Sequence, residues 1–299
     1  MRVSASARLP GLWGDLLLLA KPGISAMVLA ATAFGYLLAG QGKSDWPHLA
    51  LVLGLTFLVG AGSNSLNQYL ERDVDARMVR TRNRPLPAGR LPPAAVLIGG
   101  GLACAAGAGG LWLAANPLSG MVALTVIITY VFIYTPLKQV THLNTLVGAF
   151  PGALPPVLGW VAAGGALGRE ALALFLIEYL WQPPHVLAIA WRYRHDYAAA
   201  GMPMLPVIDP SGAGTRRQVI LYAATFIPVT LYPGLLGMAG NVYLAGAALV
   251  SGVYFAGALA MGLNPTDASA RLLFRLSLAV LPALFVLMLL DALPTSLFG

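Results

Sequence analysis

Nine apolar runs, each long enough to cross a bilayer, constrain this chain more than anything else in it. They fall near 23–40, 48–70, 93–114, 117–135, 143–164, 170–191, 217–237, 241–262 and 272–291. About 20 apolar residues in helical geometry span the hydrocarbon core of a membrane. Open sheet is excluded there, because lipid offers no partner to unpaired backbone groups. Composition agrees: 58% of the residues are hydrophobic and 10% charged, where a soluble domain carries about 25% charged residues. The expected fold is an all-α polytopic membrane protein, a bundle of about nine transmembrane helices forming one domain over 1–299. Dense Gly and Ala within the runs, as in GGGLACAAGAGG (99–110), fit close helix packing. The single cysteine, Cys104, lies inside a run and supplies neither a disulfide nor a thiolate metal cluster. The first apolar stretch stops at Lys21 and Pro22 and reads as too short for a cleavable signal.

Charge bias sets the expected orientation. With the first tail inside, the inner loops collect sixteen of the eighteen Lys and Arg residues, leaving Lys43 and Arg169 outside. By the positive-inside rule the N-terminus is then cytoplasmic and, after nine crossings, the C-terminus lies outside. The net charge of +7 is read as a topological signal; no nucleic-acid partner is expected, because the basic residues lie in loops between spans.

The second run ends unlike the others, passing without a break into NSLNQYLERDVDARMVRTRNRPLPAGR (64–90). Asn64, Asn67, Glu71 and Asp75 follow at steps of three, four and four, which places them in one narrow helical stripe, with Asp73 opposite. Amide and carboxylate oxygens stacked one turn apart suit a hard cation such as Mg²⁺. Arg77, Arg80, Arg82, Arg84 and Arg90 follow, charge that can clamp an anion held by the metal. The alternative is a solvated helix end carrying positive-inside arginines. That accounts for the arginines but not for four oxygen ligands in one row at the end of a span.

Two further inner loops share the same face. YTPLKQVTHLN (134–144) offers Lys138 and His142; WRYRHDYAAAGMPMLPV (191–207) offers Asp196, a natural partner across the bundle for the Asn67/Glu71/Asp75 row. Set among arginines, Asp196 also fits a simple ion pair. The sixth run contains EYLWQPPHV (178–186). Pro183 and Pro184 are expected to break or kink its helix where irregular backbone needs protein or a cavity around it. Glu178, Gln182 and His185 surround that point. His185 reads either as a pocket residue or as a satisfied core histidine, and Trp181 offers a flat apolar surface beside it.

An Asn-x-x-x-acid-x-x-x-Asp row, an arginine-rich inner loop and a second acidic inner loop four helices later resemble the UbiA-type intramembrane prenyltransferases. The likeness runs from about Leu19 to Val207 and is carried by LAKPGI (19–24), NQYLERDVDARMVRTRNRPLPAG (67–89), YTPLKQVTHLN, GAFPGALPPVLGW (148–160), WQPPHVLAIAWRYRHDY (181–197) and AGMPMLPV (200–207). The WQPPH and GALPPVLGW segments are similar to the branch that farnesylates heme and differ from the quinone branches. Two positions depart from the wider pattern. Glu71 stands where the family usually has Asp, and RYRHDY carries Asp196 alone where spaced aspartates are the rule.

The resemblance implies farnesyl diphosphate and heme B as substrates, Mg²⁺ as cofactor, and heme O and diphosphate as products. It implies Asn67, Glu71, Asp75 and Asp196 as metal ligands, Lys138, Arg82 and Arg84 on the diphosphate, and His185, His142 and Trp181 as candidates for contact with heme. It places the chain as a multi-pass protein of the plasma (inner) membrane with its active-site loops on the cytoplasmic side. Heme A synthase or oxidase-assembly factors are the partners it suggests beside the lipid bilayer. Two other functions compete: prenylation of an aromatic acid in quinone synthesis, on the same metal row, and secondary transport, for which broken helices and intramembrane Glu178 and His185 also speak. Transport calls for polar residues deep in several spans, whereas here they gather at one end.

Overall fold

A computed structural model describes residues 11–40 and 45–292. Among them nine helices are long and apolar enough to cross a membrane: α2 (Pro22–Gly40), α3 (Trp46–Asp75), α4 (Pro93–Ala114), α5 (Pro117–Leu137), α6 (Asn144–Ala162), α7 (Arg169–Arg192), α10 (Ala213–Leu235), α11 (Asn241–Leu263) and α12 (Asp267–Ala292). A short helix, α1 (Leu12–Ala20), precedes them, and α8 (Arg194–Ala199) and α9 (Leu205–Ile208) lie between α7 and α10. The nine spans match the nine apolar runs, because the bilayer sets both the length and the composition of a spanning helix. The expected tails at 1–10 and 293–299 lie outside the described residues.

Small residues set the helix spacing. At the α2–α6 crossing a Cβ on Gly35 would run into the carbonyl of Pro156, and one on Gly159 into the carbonyl of Thr32. At the α3–α4 crossing Gly62 lies against Cys104, and Gly107 lies against Leu55 and Val59. Lipid tails are as apolar as the helices, so close backbone approach is what favours helix contact over lipid contact. Two large apolar clusters result. One joins α2, α7, α10, α11 and α12, and the other joins α2 to α6 and reaches Ala171 at the start of α7.

Three features were not legible as read above. α1 is an amphipathic helix with Leu12, Trp13, Leu16, Leu17 and Leu18 exposed and Asp15 buried. The end of α5 is π-helical over Ile128–Tyr134, a geometry that is rare and collects at functional sites. And α7 is not broken: it runs as one helix through Pro183 and Pro184. The prolines deprive the preceding turn of two N–H donors. The flanking carbonyls take side-chain donors: the Tyr254 hydroxyl donates to the Trp181 carbonyl (2.9 Å) and Gln182 Nε2 to the Glu178 carbonyl (3.0 Å).

Candidate active site

The polar row on α3 is buried, with Asn64, Asn67, Gln68, Glu71 and Asp75 each at most 5% exposed. Its first members hold helices together. Asn64 Nδ2 donates to the Ala20 carbonyl (3.3 Å), and Gln68 Nε2 donates to those of Leu18 and Leu19 (3.4 and 3.0 Å). These are last-turn carbonyls of α1, which lack i+4 helical partners; that of Leu18 also takes the cap N–H of Lys21. Asn64 Oδ1 accepts from the Tyr130 hydroxyl (3.3 Å). Asn64 is therefore occupied in tying α1, α3 and α5 together.

α1 is also fixed by its acid. Asp15, 3% exposed, accepts from Arg90 Nε with both oxygens (2.9 and 3.1 Å) and pairs with Arg90 Nη2 at 2.8 Å. The helix ends at Lys21, the one described non-glycine residue with positive φ (50°). That left-handed backbone costs about 1–2 kcal/mol, and strain of this kind gathers at functional sites. Its effect is to turn the chain from α1 into α2 while Lys21 Nζ reaches 2.8 Å from Asn67 Oδ1. Lys21 was read from the sequence only as an inner-loop charge. The signal that could have found it is the LAKPGI segment, a lysine at the mouth of the first span.

The remainder of the row faces cations. Lys138 Nζ lies 3.1 Å from Glu71 Oε1 and Arg84 Nη1 lies 2.5 Å from Asp75 Oδ2. Burial pushes Lys21 down to about 7, helped by the Arg84 guanidinium. Burial acts the same way on Lys138, but Glu71 outweighs it, aided by the phenols of Tyr134 and Tyr197, and holds the ammonium above its ordinary value. Three partly buried cations thus surround two buried carboxylates, a field that favours a further anion. The π-helical turn of α5 shapes the floor. Thr135 Oγ1 donates to the Tyr130 carbonyl (2.8 Å) and accepts from Asn67 Nδ2 (3.0 Å), with Tyr130 and Tyr134 stacked 5.7 Å apart. Neither the tyrosines nor Thr135 stood out in the sequence, since a π-turn has no composition signature.

Among the described residues no three Asp, Glu, His or Cys side chains stand close enough to hold a metal ion alone. One oxygen, however, is left over: Asp75 Oδ1 is buried with no hydrogen-bond partner. Two carboxylates, one of them with an orphaned oxygen, and an amide oxygen suit a Mg²⁺ site, which commonly uses one or two carboxylates and completes its shell with substrate phosphate and water.

The other expected residues are placed differently. Asp196, on α8, is half-buried and makes no ion pair or side-chain hydrogen bond among the described residues; the structure does not gather it with Glu71 and Asp75 into a metal-holding trio. The next residue, Tyr197, does reach the site, receiving Arg80 Nη2 on its hydroxyl (3.5 Å) and acting on Lys138. Arg82 is exposed, apart from the carboxylates, and His142 is half-buried in the loop after α5. Trp181 presents no open face. It is buried in the core, its indole N–H donates to the Ser277 carbonyl (2.9 Å), and His185 stacks on it at 4.8 Å.

His185 is half-buried, and its Nδ1 lies 2.6 Å from Ser277 Oγ on α12. The serine spends its hydrogen on the Phe274 carbonyl (2.6 Å), so towards the imidazole it accepts. Nδ1 then carries the proton and Nε2 presents its lone pair. Gln182 is occupied otherwise: its amide donates to the Ala149 carbonyl of α6 (3.1 Å).

A profile of the UbiA prenyltransferase family matches residues 28–286. A protoheme IX farnesyltransferase of Solibacter usitatus (strain Ellin6076) is 42% identical over 287 residues, covering 93% of this chain and 98% of its own. One of Myxococcus xanthus (strain DK1622) is 41% identical over 288 residues, 96% of this chain and 97% of its own. Among solved structures, a digeranylgeranylglyceryl phosphate synthase superposes with a TM-score of 0.79 at 16% identity, covering 93% of this chain and 97% of its own. A UbiA homologue from Archaeoglobus fulgidus, bound to DMAPP and Mg²⁺, has a TM-score of 0.60 at 17% identity over 92% and 99% of the two chains. The fold, the buried polar row and the sequence agreement along nearly the whole chain lead to one conclusion: the chain belongs to the UbiA prenyltransferase family and is a membrane prenyltransferase.

Proposed function

We propose that the protein transfers a farnesyl group from farnesyl diphosphate to a vinyl group of heme B, with addition of water, giving heme O and diphosphate. The observation that carries this reading is the cup of Lys21, Lys138 and Arg84 around Asn67, Glu71 and Asp75, whose Oδ1 has no partner. It is supported by the heme-modifying activity named for relatives at 42% and 41% identity. Mg²⁺ held by Asn67, Glu71 and Asp75 would supply charge neutralisation to the diphosphate, with Asp196 the further candidate ligand.

Lys138 and Arg84 would release their carboxylates and turn to the diphosphate oxygens, as Lys21 turns from Asn67. Ionic donors aimed at the leaving group stabilise the charge it takes up as the allylic C–O bond breaks and its electron pair departs. The heme vinyl group forms the new C–C bond with the allylic carbon. Water adds to the cation left beside the porphyrin and releases a proton. Tyr130, Tyr134 and Thr135 line the row without a strong nucleophile among them, as a reactive cation requires. His185 Nε2, with its lone pair free, is the group suited to the heme iron or to the proton from that water. His142 is the second candidate and Arg82 a peripheral one for diphosphate.

In this reading the site opens to the cytoplasm, the N-terminus lies inside and the C-terminus outside the plasma (inner) membrane, and one domain does the work. The test is incubation of purified protein with heme B, farnesyl diphosphate and Mg²⁺, followed by product mass. Heme O is the expected product. Turnover of an aromatic acid such as 4-hydroxybenzoate in place of heme would refute the heme assignment and retain the prenyl chemistry.

A further inference from the structure

Several arginines at this end of the bundle are engaged by a carboxylate. Arg84 pairs with Asp75, Arg90 with Asp15 and Arg194 with Asp267. Arg80 and Arg192 differ: among the described residues neither meets a carboxylate, and both lie over aromatic rings. The Arg192 guanidinium is 5.6 Å from the centre of Tyr193 and 5.9 Å from that of Phe274. Arg80 lies 5.3 Å from the same Tyr193 and 6.0 Å from Tyr197. Tyr193 is therefore shared by two guanidiniums, and Phe274 is shared by Arg192 and His185, whose ring centre is 5.2 Å away. Ring faces hold a guanidinium in place and leave most of its N–H donors available, Arg80 giving one to the Tyr197 hydroxyl. What results is a pair of oriented, uncompensated forks at the membrane surface, built to receive planar anions.

We propose that Arg192 and Arg80 bind the two propionate carboxylates of the tetrapyrrole. The inference rests on the heme reading above and adds the groups that orient the macrocycle. Two forks match two carboxylates, each able to accept a bidentate pair. His185 lies seven residues below Arg192 on α7, about 10 Å of helical rise, a span comparable with that from the iron of a porphyrin to its acidic edge. With the propionates held by the arginines, the opposite edge of the macrocycle, which carries vinyl groups, would point away from them. The arginines thereby select which edge of the substrate meets the allylic carbon.

The experiment compares binding of iron protoporphyrin IX and its dimethyl ester, by absorbance titration, to wild-type protein and to R192Q, R80Q and R192K in nanodiscs. Wild type is expected to favour the diacid by about tenfold or more. R192Q and R80Q should each shrink that preference at least about threefold, with R192K intermediate because it keeps charge and loses the fork. Farnesyl diphosphate affinity with Mg²⁺ should be unchanged in R192Q and R192K. If R192Q does not fold, R80Q and R192K carry the comparison. A wild-type protein that binds both porphyrins equally, or variants that keep the full preference, would overturn the inference and leave the heme reading intact. Failure of wild type to bind or convert heme at all would overturn both. Loss of bound anionic phospholipid from R192Q in native mass spectrometry, with the diacid preference intact, would reassign the forks to lipid headgroups and likewise overturn it.

Discussion

Two groups of cations meet at one end of the bundle and are handled in opposite ways. Around α3, Lys138 and Arg84 are inside the fold and each is held by a buried carboxylate. Around the end of α7, Arg80 and Arg192 stand on tyrosine and phenylalanine rings with no carboxylate. The first arrangement keeps a strongly charged site folded before substrate arrives, because a buried charge without a partner costs several kcal/mol. The second tolerates uncompensated charge because water still reaches it. The lesson is that the α3 site must exchange internal partners to act, whereas the α7 arginines are ready as they stand.

The sharpest break in this comparison should come from Asp75. Asp75→Ala removes both the Arg84 partner and the orphaned oxygen, and turnover should fall about 10²–10³-fold or more while the protein still inserts and purifies normally. Near-normal turnover would remove α3 from the chemistry. Next in size is Lys138→Met, which leaves Glu71 buried and unpaired and should cost about 3–5 kcal/mol of stability. The double variant Glu71→Leu/Lys138→Met should regain much of that stability and none of the activity. A double variant as unstable as the single one would show that the pair is not coupled.

Partner exchange itself is testable by thermal melting. Mg²⁺ alone should barely move Tm, since Glu71 and Asp75 are already paired, whereas Mg²⁺ with diphosphate at about 100 times its Kd should add about 2.7 kcal/mol. Equal shifts from Mg²⁺ alone would mean a preformed metal site. The smallest effect is expected on α7. His185→Ala should lose the Ser277 bond, worth about 1 kcal/mol, weaken heme binding and shift its absorbance spectrum, with farnesyl diphosphate affinity largely kept. Reduced Tm with heme binding untouched would make His185 a packing residue only.

The limits of sequence reading show in particular residues. Asn67, Glu71 and Asp75 were legible as a row because helix periodicity is a local property. Lys21 was not, because its role needs a left-handed turn that aims it 46 positions along the chain at Asn67. Pro183 and Pro184 are read from the sequence as a break or kink, yet α7 runs through them as one helix, packed on both sides by other spans.

What the chain determines by itself is the set of nine spans and the polar row at the end of the second. Bilayer thickness and the 3.6-residue repeat act on consecutive residues and need no tertiary information. What only the tertiary structure decided is which charges meet. Five arginines follow the row within fifteen positions; Arg84 turns back to Asp75, Arg90 reaches Asp15 on α1, Arg80 stacks near α8, and Arg82 faces outward. Loop arginines are chemically alike and long enough to reach several partners, so their pairing follows from where the packed helices place each carboxylate.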